Sequence, residues 1–178
     1  MAKRAAALIA FGVTLAAPIA ALAQRAPTTA PNPEPSSDFP YVQWPHEFTP
    51  QNTPVDEGFG HFLFWNGKAL QNVEGRTFLV TLVRRDDQGS FNEYLIRRTV
   101  EGQVARMGGL KVASGRIPSR VIADMSSVDK QSLGAGLGDI YNDPVQVWHI
   151  HRADHDIWVQ YTDNSAEASL AIVETDGK

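Results

Sequence analysis

The stretch His61-Phe62-Leu63-Phe64-Trp65-Asn66-Gly67-Lys68-Ala69-Leu70-Gln71-Asn72-Val73 decides the fold class. Two short apolar-rich runs flank Asn66-Gly67. Asn-Gly is the preferred centre of a type I′ hairpin, because both central residues need positive φ. His61 to Trp65 and Lys68 to Val73 are therefore expected to pair as antiparallel strands.

Working toward the C-terminus, the same signals recur. Arg76 to Arg85 and Ser90 to Val100 flank the turn Asp86-Asp87-Gln88-Gly89, and both runs are rich in Phe, Leu, Val, Ile, Thr and Tyr. Pairing Arg85 with Ser90 puts Leu79, Thr81, Val83, Tyr94 and Ile96 on one face. Phe78, Val80, Leu82, Phe91 and Leu95 take the other. Apolar residues on both faces predict a strand pair covered on two sides. Gln103 to Ile117 reads as a weaker strand, since Gly108, Gly109 and Gly115 mark bulges or bends. Val121 to Met125 reads as a short strand, and Ser126 to Leu133 as one or two helical turns capped by Ser126 or Ser127. Pro144 to His151 and Asp156 to Thr162 form a further hairpin, and Ser169 to Glu174 a last strand. With no strong amphipathic helix, the expectation is an all-β fold: a small antiparallel barrel or sandwich of about seven to eight strands.

The N-terminal side divides differently. Lys3 and Arg4, the apolar run Ala5 to Ala20, and Ala21-Leu22-Ala23 follow the three-part order of a secretory signal peptide. Residues 1–23 are expected to be removed, leaving a chain that starts at Gln24 and has no stable membrane span. Eight of the eleven prolines fall between Pro27 and Pro54. Gln24 to Ser37 is thus an extended, proline-rich spacer. Phe39, Tyr41, Trp44 and Phe48 put too much apolar surface into the next ten residues for a solvated linker. They are expected to pack across the domain as a strap, the alternative being a recognition segment for an envelope partner. The organisation is then 1–23 signal peptide, 24–58 spacer and aromatic strap, and 59–178 all-β domain.

Composition narrows the function classes. The 178 residues contain no cysteine, which excludes disulfides, thiol catalysis and thiolate metal sites. Without Lys3 and Arg4 the formal net charge falls from −4 to −6, which argues against nucleic-acid binding. Charge is uneven. Arg76 to Arg120 holds nine basic and four acidic residues, while 121–178 holds three basic and ten acidic. Arg84 and Arg97 are expected on one face, and Arg85 and Arg98 on the other. Such a stripe suits phosphate or carboxylate ligands. The simpler expectation is that these arginines pair with the acidic C-terminal strands.

The sharpest chemical cluster is Trp148-His149-Ile150-His151-Arg152-Ala153-Asp154-His155-Asp156, with three of the five histidines. A turn at Ala153-Asp154 sets His151 opposite Asp156 and His149 opposite Trp158. His149, His151 and Asp156 then share a face and could hold a divalent metal, the one cofactor the residues admit. No ligand-spacing motif completes the set, so a polar hairpin tip over buried Trp148, Ile150, Ile157, Val159 and Tyr161 is the simpler account. Ser127-Val128-Asp129-Lys130 matches Ser-x-x-Lys without its companion motifs. Gly134-Ala135-Gly136-Leu137-Gly138 lacks the ending of a phosphate loop and reads as a mobile surface loop.

The reading is an exported, periplasmic or secreted, non-enzymatic envelope protein. Its β-domain binds a small ligand or an envelope partner, with Tyr41, Trp44, Phe48, Arg84 and Arg97 as contact candidates. The alternatives are a metal-binding protein or metal-assisted hydrolase using His149, His151 and Asp156, and a structural adaptor.

Overall fold

The structure, a computed structural model, describes residues 38–86 and 89–176. The signal segment 1–23, the spacer 24–37 and the turn centre Asp87-Gln88 lie outside the described residues.

The fold is mostly β, with one antiparallel sheet of seven strands. These are β1 (Phe48–Pro50), β2 (Val55–Trp65), β3 (Leu70–Arg84), β4 (Leu110–Gly115), β5 (Val145–His151), β6 (His155–Asp163) and β7 (Glu167–Asp176). The path runs β1-β3-β7-β6-β5-β4, and β2 also pairs with β3. The long β3 serves both: its first part holds β2, and Leu82 to Arg84 hold β1.

The hairpin at Asn66 forms, but its turn is shifted. Asn66 N–H donates to Ala69 O at 3.1 Å, and only Gly67 takes a positive φ, +90°. The Asn66 carboxamide oxygen accepts from the backbone N–H groups of Lys68 and Ala69, each at 3.0 Å. Asn66 therefore acts through its side chain, as Asn does in Asx turns. Beyond Gly75 this hairpin leaves the β7 register, which begins at Arg76↔Glu174. It then turns over the sheet. Trp65 N–H reaches the Gln160 carboxamide oxygen at 3.1 Å, and the Phe64 and Trp158 rings lie 5.7 Å apart. One curled sheet thus packs partly on itself, in a sandwich-like way.

Both faces of the sheet are covered, as the alternation in β3 requires. Phe78, Val80 and Leu82 join one buried cluster, and Leu79 the other. The cover on the first face departs from the sequence expectation. Ser90 to Val100 is not a strand; helix α1 spans Glu93–Arg106. Its buried residues, Ile96, Val100 and Val104, recur every four residues, a helical period that runs past the end of the expected strand. Asn92 caps it by accepting from Leu95 N–H at 3.1 Å. Arg97 consequently projects from a helix and does not share a strand face with Arg84.

Three short helices cover the second face. Val121 to Met125, read as a strand, lies mostly in α2 (Ser119–Ala123), which starts at Pro118 and buries Ile122. Ser126 caps α3 (Ser127–Ser132) through Asp129 N–H, as expected. The glycine-rich run is no mobile surface loop. It forms α4 (Gly134–Leu137), with Gly136 and Leu137 buried. A Cβ on Gly136 would stand 2.8 Å from Leu79 and 2.9 Å from Phe62. Its glycines allow close backbone approach to the sheet.

The strap belongs to the same core. Val42 and Phe48 are buried, and Phe39 and Trp44 pack against the cluster that includes Phe78 and Ile96. Gln103 of α1 holds the strap by two bonds to the Gln43 backbone, at 3.0 and 2.6 Å. Among the described residues, no helix is long and apolar enough to cross a membrane.

Candidate functional site

The β5–β6 hairpin has the register read from the sequence, with His151↔Asp156 and His149↔Trp158. Alternation sends Trp148 and Ile150 into the α1 side of the core and leaves His149 and His151 on the opposite face. There the sequence-designated triad comes together around one carboxylate. His151 Nδ1 lies 2.8 Å from Asp156 Oδ1, a hydrogen bond in the tautomer that carries the proton at Nδ1. His149 Nε2 lies 3.4 Å from Asp156 Oδ2. That approach is an ion pair only with a protonated imidazole and not a good hydrogen bond, and among the described residues His149 Nε2 has no hydrogen-bond partner. The His149 ring stacks on Trp158 at 4.6 Å and 29°.

Partial burial opposes ionisation of Asp156, but the His151 bond and the His149 charge contact outweigh it. The Asp156 carboxyl is held below its ordinary range. A depressed carboxyl stabilises the fold above its unfolded pKa, and that contribution disappears as pH falls through the lower folded value. Asp156→Asn is therefore expected to lower the unfolding free energy at neutral pH by about 0.2–1 kcal/mol. The difference from the wild-type chain should shrink as pH falls through the lowered folded value. Thermal midpoints measured across that range check this, and a gap that persists in acid would contradict it.

Among the described residues, no group of three or more His, Asp or Glu side chains is arranged to hold a metal ion. In this geometry the carboxylate orients two imidazoles. His155 turns away to its own neighbour, Asp154, at 2.7 Å.

The other designated residues are dispersed. The Tyr41 hydroxyl donates to the Glu174 carboxylate, and Phe48 packs edge-on to Phe91 at 5.1 Å. Trp44 is half-buried against Phe78. Arg84 is engaged by Asp86 at 2.7 Å and by Ser90 O at 2.9 Å. Arg97 meets Asp163 at 2.9 Å, and Asp163 also accepts from the buried Tyr161 hydroxyl at 3.0 Å. Burial raises the Asp163 carboxyl, against the pull of Arg97 and Tyr161. Burial also drives the Tyr161 hydroxyl far above its ordinary range. This network ties α1 to the end of β6.

One surface was missed in the sequence. β4 is the last strand of the path, and no described strand pairs with its outer edge. Leu110 is 65 % exposed and Val112 37 % exposed. Val112 is the extra residue where the β4–β5 register shifts, between Lys111 and Ala113. Leu110 pairs with His149, so the edge borders the histidine triad. The signal was Leu-Lys-Val directly after Gly108-Gly109, too short to distinguish an edge from an inner strand.

No family model matches the chain, and no curated protein or solved structure is significantly similar to it.

Proposed function

We propose that the protein is an exported, non-enzymatic component of the cell envelope whose folded domain binds a partner at its surface. The observation that carries this reading is the open β4 edge with Leu110 and Val112 exposed. The unpaired N–H and C=O groups of an edge recruit other strands, and β4 guards its edge only in part, through Lys111 and the bulge at Val112. Scattered apolar side chains are common on surfaces; two of them on an unpaired strand edge are a means of recruitment. The signal-like order of residues 1–23 supports delivery to the periplasm or the exterior. Since Tyr41 and Phe48 are committed to the core, the recognition surface is assigned to the domain and not to the strap.

The test has two parts. N-terminal sequencing of chain recovered from an envelope fraction should begin at Gln24. A photoreactive benzoylphenylalanine in place of Leu110 should then give a discrete adduct in intact cells, while the same residue in place of Val128 gives none. An intact Met1 form retained in the cytoplasm, without an adduct from position 110, would refute the proposal.

A further inference from the structure

The geometry points to an acidic, extended peptide strand as the occupant of the β4 edge, added antiparallel or parallel to β4 by main-chain pairing. This inference rests on the proposed function and names the partner chemistry. Strand addition takes its affinity from backbone hydrogen bonds and its selectivity from alternate side chains. The edge offers both.

Charge selects the occupant. Of the nine basic residues between Arg76 and Arg120, four are paired with carboxylates and one is bound to carbonyls. Arg76, Arg84, Arg97 and Arg98 pair with Asp56, Asp86, Asp163 and Glu101 respectively. Arg85 donates to the His46 and Phe48 carbonyls at 2.6 and 3.1 Å. The remaining four, Arg106, Lys111, Arg116 and Arg120, are exposed, and no ion pair engages them among the described residues. Lys111 lies within β4; its ammonium donates to Gln146 Oε1 at 2.6 Å and sits 5.2 Å from the Trp148 ring, neutral partners that leave its charge uncompensated. Arg106 closes the helix that leads into it, and Arg116 follows its last residue. An acidic protein thus keeps unneutralised positive charge around one free strand edge.

That charge also rules on the alternatives. A second copy pairing edge to edge would set these basic side chains against their own images, which like-charge juxtaposition disfavours. Lys111 and the Val112 bulge are devices that deter indiscriminate strand addition. They do not deter a strand of opposite charge, which gains from Lys111 what a neutral strand loses. Anionic lipid would use the same cations but not the strand edge.

The experiment titrates fluorescein-labelled alternating Glu-Val octapeptide into the purified chain starting at Gln24. Binding is expected, weakening as salt rises, while the Lys-Val octapeptide does not bind. Lys111→Glu combined with Arg116→Glu should weaken binding at least about tenfold, roughly the effect of 1.4 kcal/mol. Val112→Pro supplies a second variant. Val112 has no β5 partner in the register, and bulges tolerate proline, so the substitution is expected to spare the β4–β5 ladder and obstruct the added strand. It should abolish binding with the thermal midpoint preserved. Unchanged affinity in both variants overturns the inference. So does charge-dependent binding to phosphatidylglycerol vesicles that Val112→Pro leaves intact, or concentration-dependent dimerisation that Lys111→Glu promotes. An in-cell adduct at position 110 without affinity for the Glu-Val octapeptide overturns this inference and leaves the proposed function standing.

Discussion

Phe48→Ala is expected to lower the unfolding free energy by about 3–5 kcal/mol, the usual result of emptying a buried phenylalanine site. Phe48 is 1 % exposed, pairs with Arg84 in the β1–β3 ladder and packs against Phe91. The cavity would open between β1 and the segment entering α1, so neither side can collapse without moving the other. For a domain of this size each kcal/mol moves the midpoint by about 2–4 °C, so a drop on the order of ten degrees is expected. The loss is large against a total of about 5–15 kcal/mol. Calorimetry or denaturant titration decides the matter. A loss below about 1 kcal/mol, typical of a surface site, would mean that the strap rests on the domain without being part of its core.

Gly75→Ala is the second large effect, and it acts through backbone. A Cβ at position 75 would lie 1.9 Å from the carbonyl oxygen of Glu174. No rotamer change relieves a clash with a main-chain oxygen. The β3–β7 ladder must open at its first pair, Arg76↔Glu174, where the hairpin begins to turn over the sheet. The cost is expected at or above the roughly 3 kcal/mol that bounds ordinary overpacking. Gly58→Ala serves as control, since nothing lies within 4 Å of a Cβ there. Similar midpoints for the two variants would contradict the account of the bend.

These two sites also show why the sequence was legible in part. The β5–β6 register was readable because side-chain alternation and a short turn leave one pairing that buries Ile150 and Ile157. The mostly β, antiparallel architecture followed from such local patterns repeated, although two expected strands are helices and β1 arises within the strap. Helix α1 was not readable within Ser90 to Val100 alone. Phe91, Leu95, Ile96 and Val100 suit a strand pair over that window, and Val104, which completes the helical spacing, lies outside it. Val121 and Ile122 resemble a strand by side-chain type, and a two-residue apolar core is too short to reveal a period. The glycines of Gly134 to Gly138 suggested freedom, whereas contact with Leu79 and Phe62 demanded absence of a side chain. That demand comes from residues more than fifty positions away.

The candidate site divides along the same line. His149, His151 and Asp156 converge because one hairpin carries all three, so the period of two sufficed to place them. The β4 edge could not be read, because being an edge is a property of sheet order. Leu110-Lys111-Val112 has the same composition whether or not another strand follows. The arginine segment behaved likewise. The sequence showed an excess of positive charge, but only the fold separates the arginines spent on Asp56, Asp86, Asp163 and Glu101 from those left around β4.

The most direct test of the central claim is amide hydrogen exchange on the chain starting at Gln24, with and without the Glu-Val octapeptide. Main-chain pairing slows exchange where it occurs and leaves distant amides unchanged. New protection is expected within Leu110 to Ser114, and none at β1 or in the strap. Peptide binding that leaves β4 exchange unchanged, or that protects the strap instead, would contradict it.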